Sequence, residues 1–164
     1  MLPQSAHLPD FSPESKVWMY TAGRTLTDSE AALVQQALKH FTQRWTAHNE
    51  ALKAHGEVFA NRVLILMVDE SQAGASGCSI DKSVHFLEHL GEELGVDFFE
   101  RMTFGFLDAH GDLHFADRDA CSALRDSGQI SDNTLMLNSL ADKKQAISEK
   151  LFIPYKDSWH KRVF

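Results

Sequence analysis

Along this chain the apolar positions are grouped in ways that predict its elements. Val63-Leu64-Ile65-Leu66-Met67-Val68 is an unbroken apolar run between turn residues, the pattern of a strand buried on both faces. It passes through Asp69-Glu70 into the small residues Gly74-Ala75-Ser76-Gly77-Cys78 and then Ser79-Ile80-Asp81. That succession predicts a tight turn into a helix capped by Ser79, with Ile80, Val84, Leu87 and Leu94 facing inward. Upstream, residues 1–14 read as an irregular lead-in, and Lys16 to Thr21 as a first strand closed by Gly23. Thr27-Asp28-Ser29-Glu30 is a capping box, in which threonine hydroxyl and glutamate carboxylate each satisfy an orphan amide. Beyond it Val34, Leu38, Phe41, Trp45, His48 and Leu52 recur at steps of three and four. One helix of about seven turns is expected there, ended by Gly56, with His48 buried in its apolar stripe.

The second half is more finely divided. Arg101 to Asp108 and Asp112 to Ala116 flank Ala109-His110-Gly111, a hairpin whose glycine supplies positive φ. Asp117 caps a short helix through Leu124 that ends near Gly128; Thr134 to Asn138 is read as a strand, and Ala141 to Leu151 as a helix stopped by Pro154. Residues 152–164 form a tail too aromatic to be solvated. The resulting order, βαβαββαβα, predicts a single α/β domain with a mixed four- to five-stranded sheet and flanking helices. A right-handed crossover would make its first two strands parallel. The same order contains a thioredoxin-like arrangement as an alternative, although a C-x-x-C pair and a proline before the hairpin are missing.

Composition narrows the function classes. At 164 residues the chain buries roughly 70% of its unfolded surface without help from disulfides or metals. Sixteen basic against 23 acidic side chains leave a net charge of -7, and no basic face is visible before Lys156 to Arg162, which argues against nucleic-acid binding. Cys78 and Cys121 lack redox spacing, and neither a basic-then-apolar leader nor a long apolar run is present. A cytoplasmic protein that does not span a membrane is expected.

Five strings, Trp45-x-x-His48, Val68-Asp69-Glu70, Ser76-Gly77-Cys78-Ser79-Ile80-Asp81-x-Ser83-Val84, Asp97-Phe98-Phe99-x-Arg101 and Asp157-Ser158-Trp159-His160, carry a resemblance. Together they resemble a small uncharacterised bacterial family, mostly from the Bacteroidetes group, some of whose members bear the label "ABC transporter ATPase". The residues do not support that label: the chain has no G-x-x-x-x-G-K-[ST] and no leucine-serine-glycine-glycine signature, so no nucleotide hydrolysis is expected.

The strand-turn-helix at 69–81 is the candidate site. Ser76, Gly77, Cys78 and Ser79 offer small residues, hydroxyls and helix amides to an anion, while Asp69, Glu70 and Asp81 would weaken an unassisted anion site or hold a divalent cation beside it. The leading expectation is a protein that binds a small ligand or anion there, with no resident metal or cofactor assigned and self-association left open. One alternative is a cysteine-dependent hydrolase or thiol enzyme using Cys78, with His48 as base. Another is a non-enzymatic interaction subunit working through a sheet edge or its tail. The same turn also reads as plain close packing of strand against helix, with Cys78 as a small apolar residue. His110, Asp112, His114 and Asp117 crowd the hairpin and raise a zinc site, although turn chemistry explains them equally well.

Overall fold

A computed structural model describes residues 8–164. Strand β1 (Lys16–Thr21) leads to helix α1 (Asp28–Arg44), the short strands β2 (Thr46–Ala47) and β3 (Glu50–Ala51), and strands β4 (Lys53–Phe59) and β5 (Val63–Asp69). Helix α2 (Gly77–Leu94) precedes β6 (Thr103–Leu107), β7 (Leu113–Asp117), α3 (Arg118–Asp126), β8 (Leu135–Leu137), α4 (Lys144–Lys150) and β9 (Phe152–Pro154), and two 3-10 turns close the chain.

These elements form an α/β single domain, but not around one mixed sheet. Strands β1, β5 and β4 make a three-stranded sheet in that order, while β7, β6, β8 and β9 make a four-stranded one, and every pairing is antiparallel. Strand β5 is fully buried at the centre of the first sheet, as its unbroken apolar run requires. Leu64 and Leu66 face α1 and α2, whereas Val63, Ile65 and Met67 face Leu137, Phe115 and Ile147 beneath the second sheet. Phe106 and Met136 look the other way, onto Cys121, Ile130 and Tyr155. The layers therefore run helix, sheet, sheet, helix, with an apolar core at each of the three interfaces instead of one.

The expected parallel pair is replaced by an antiparallel one, Lys16 opposite Val68 through Thr21 opposite Val63. The cause lies in residues 45–59. Helix α1 stops at Arg44, and His48 and Asn49 then take positive φ of 51° and 64° in a two-residue hairpin turn between β2 and β3. The chain returns as β4, so α1 connects two strands of like direction, β1 and β4, and β5 inserts between them. The thioredoxin-like alternative falls with the parallel neighbours that its βαβ unit needs. Gly56 is no helix stop: it lies in β4, where a Cβ would come within 3.0 Å of Leu38 Cβ, and its absence lets α1 lie directly on the strand.

Local chemistry agrees with the sequence elsewhere. Both capping-box bonds form between Thr27 and Glu30, Asp117 accepts from Ala120 N at the start of α3, and Gly111 and Gly128 adopt positive φ. Of the irregular lead-in, residues 1–7 lie outside the described residues; 8–14 contain neither helix nor strand.

The outer edge of β4 is met by a side chain. Gln35 Nε2 donates to Gly56 O and Gln35 Oε1 accepts from Val58 N, both at 2.9 Å, so one amide imitates a neighbouring strand. Gln35→Ala should cost about 1–3 kcal/mol in urea denaturation, because it orphans two half-buried backbone groups at once.

Candidate functional site

The 69–81 turn forms where expected, and most of its polar groups are bound within it. Asp69 is buried and accepts from Ser12 N and Ser71 N at 3.0 Å, with Lys53 Nζ 3.5 Å away. These backbone amides, more than the lysine, hold its carboxyl well below the usual carboxylate range. Its stabilising effect is thus present above the ordinary carboxylate pKa and lost as pH falls toward the depressed one. Glu70 pairs with Lys16 at 3.3 Å and folds back to accept from Ala75 N, passing so close to Gly74 that a Cβ there would sit 2.9 Å from its Oε2. Ser76, and not Ser79, is the N-cap of α2; Ser79 stands three residues on and reciprocates by accepting from Ser76 N. A serine fills the place that a glutamate takes in the usual capping box, which is why spacing alone assigned the wrong serine. Buried Ser79 also offers its carbonyl to Trp45 Nε1 at 2.8 Å, tying the end of α1 to the start of α2.

Gly77 and Cys78 on the first turn of α2 are left exposed, as is Asp81 just beyond it. His48, expected on the buried helix face, is exposed at the tip of the β2–β3 hairpin. No hydrogen bond joins Cys78 to His48 among the described residues, and the helix position that made His48 the candidate base does not exist. In the β6–β7 hairpin, Asp108 accepts from His114 Nε2 at 2.6 Å and from the amides of His110 and Asp112, and these bonds lower its pKa to about 2. Asp117 is occupied as a helix cap. Among the described residues no three His, Cys, Asp or Glu side chains gather to hold a metal ion.

A different place has the form of a binding site. A cleft of about 410 Å³ opens where Met19, Tyr20 and Thr21 of β1 face Thr103, Phe104 and Gly105 of β6. Phe98, Phe99, Glu100 and Arg101 line one end, Ser139 and Leu140 another, and Trp159 stands in the wall. The sequence strings 97–101 and 157–160, distant along the chain, meet here. The indole of Trp159 stacks on His160 at 3.8 Å, and buried His160, edge-on to Phe104, has its pKa lowered by burial to about 4, so the aromatic wall carries no charge at neutral pH.

Polar groups in this lining are short of partners. Thr103 Oγ1 and Trp159 Nε1 are shielded from water with no hydrogen bond among the described residues, a cost of about 1–3 kcal/mol apiece. Arg101 is exposed and makes neither ion pair nor hydrogen bond among the described residues, although its charge reaches Tyr20 and partly offsets the rise that burial imposes on the phenol. Neighbouring Glu100, in contrast, already accepts from Met102 N. Met102 and Leu140 are 76% and 67% exposed, Leu140 in the cleft wall and Met102 beside Arg101. Sequence reasoning missed this site because its walls come from five separate stretches; Arg101 beside Phe98-Phe99 was the nearest local signal. No protein family, curated protein or solved structure matches the chain.

Proposed function

We propose that the protein binds a small molecule bearing a carboxylate and an apolar body, in the cleft between β1 and β6. The observation that carries this is a guanidinium, unpaired among the described residues, in the lining of an apolar, aromatic-walled cleft of about 410 Å³, within the size range of ordinary ligand sites. Arginine presents a planar fork that matches a carboxylate in two parallel bonds. The net charge of -7 makes such a positive point selective, since anions are repelled from most of the remaining surface.

The anion expected from sequence is kept, and its place is moved. At the 69–81 turn Asp69 and Glu70 already fill the neighbouring amides, which leaves an incoming anion little to bind. Titration of 15N-labelled protein with 3-phenylpropionate and with its uncharged amide separates the two places. The acid should shift the amides of residues 98–105, the uncharged amide should bind about tenfold more weakly, and Arg101→Gln should weaken the acid by a similar factor. Equal binding of acid and amide, or shifts confined to residues 69–81, would refute the cleft reading.

A further inference from the structure

Resting on that reading, we infer that the carboxylate is the C-terminus of an extended peptide, which adds as a strand to the open edge of β1. In β1 successive residues turn their backbone groups to opposite sides. Ala22 N donates to Arg62 O beyond the end of β5, so the even-numbered residues face β5. The odd-numbered ones face outward, and three contacts show it: Val17 N donates to Asp142 O, Ser15 O accepts from Lys144 N, and Thr21 O accepts from Glu100 N. Between those covered ends, the N–H and C=O of Met19 and the N–H of Thr21 have no partner among the described residues. Met19 and Thr21 are also cleft-lining residues, so this stretch of edge opens into the site.

The gap suits about three peptide residues at some 3.3 Å each. Its polarity follows from Arg101, which comes next after Glu100, the residue whose N–H donates to Thr21 O, and so puts a guanidinium at the Thr21 end, where the Glu100 carboxylate already accepts from Met102 N. A peptide that brings its carboxylate to Arg101 therefore runs parallel to β1. Its last residue donates its N–H to Met19 O, its terminal carboxylate accepts from Thr21 N and the guanidinium, and the carbonyl two residues earlier accepts from Met19 N. The apolar walls select an apolar last side chain. A free acid without a backbone would use Arg101 alone and leave Met19 unpaired.

The probe is a pool of N-acetyl tripeptide acids ending in Leu, Val or Phe, compared with the same pool amidated at the C-terminus and the same pool methylated on the last backbone nitrogen. On titration of the full chain, the acid pool should move the Met19 and Thr21 amide protons downfield. Amidation and N-methylation should each weaken binding about tenfold, through the lost carboxylate and the lost bond to Met19 O. Met19→Pro removes an N–H that makes no internal bond and should weaken the acid pool similarly; should that variant fail to fold, the N-methylated pool still decides. If the acid pool binds no better than the N-methylated one while 3-phenylpropionate still binds, strand addition is overturned and the carboxylate reading stands. If neither the pool nor 3-phenylpropionate binds, both are overturned.

Discussion

Replacing Gly91 with alanine is expected to destabilise the protein by about 3 kcal/mol, although the same change inside an ordinary helix would stabilise it by about 1 kcal/mol. The reversal comes from the end of α2. Gly95 takes the left-handed conformation at φ 64° and donates to Gly91 O, Val96 N donates to the same oxygen at 2.9 Å, and the chain doubles back over the last turn. A Cβ on residue 91 would then lie 2.4 Å from Val96 O, a backbone atom that cannot swing aside. Gly77 is the matched control, since nothing lies within 4 Å of a Cβ built there. Urea denaturation of both variants decides the matter: a Gly91→Ala protein as stable as the parent would mean that the turn after α2 yields easily.

Phe98→Ala should cost about 3–5 kcal/mol, the range for deleting a fully buried phenyl ring. Phe98 is 1% exposed and belongs to the core cluster of Leu64, Leu66, Leu87 and Leu90, yet it also lines the cleft. Its ring is therefore the partition between core and site. Removing it should enlarge the cleft inward and weaken retention of 3-phenylpropionate along with stability, read by denaturation and titration of the same variant. Because Phe98 Cδ2 lies 3.5 Å from the Cβ position of Gly91, the two substitutions share a neighbourhood. The double variant should lose less than the sum of the single losses.

What could be read from the sequence was what neighbouring residues decide among themselves. The Thr27–Glu30 box, the apolar run of β5, Gly111 in its hairpin and Asp117 as a cap are each complete within a few positions, and each was found in place. The end of α1 failed because Trp45, His48 and Leu52 continue a helical period by coincidence: Trp45 and Leu52 are buried from positions beside the short hairpin, while His48 turns outward at its tip. The signal that was passed over is asparagine. His48-Asn49, in the two-residue turn between β2 and β3, and Ala60-Asn61, in the three-residue connection of β4 to β5, all occupy positive φ, where Asn substitutes for the glycine that pattern reading looks for. Pairing direction was lost with those turns. The cleft lay beyond local reading altogether, because an open strand edge is a property of what fails to pair with it.

Gln35 gives the first sheet a definite valence. Its amide occupies the middle of the β4 edge, while among the described residues nothing bonds the β1 edge at Met19, so a strand added to this sheet as proposed would find one side only. Growth of a fibril by strand pairing requires two reactive edges per unit, one to receive and one to pass on. A peptide strand added at β1 as proposed would therefore end growth where it begins: the first sheet would act as a chain terminator, binding extended polypeptide without becoming a template for more of it.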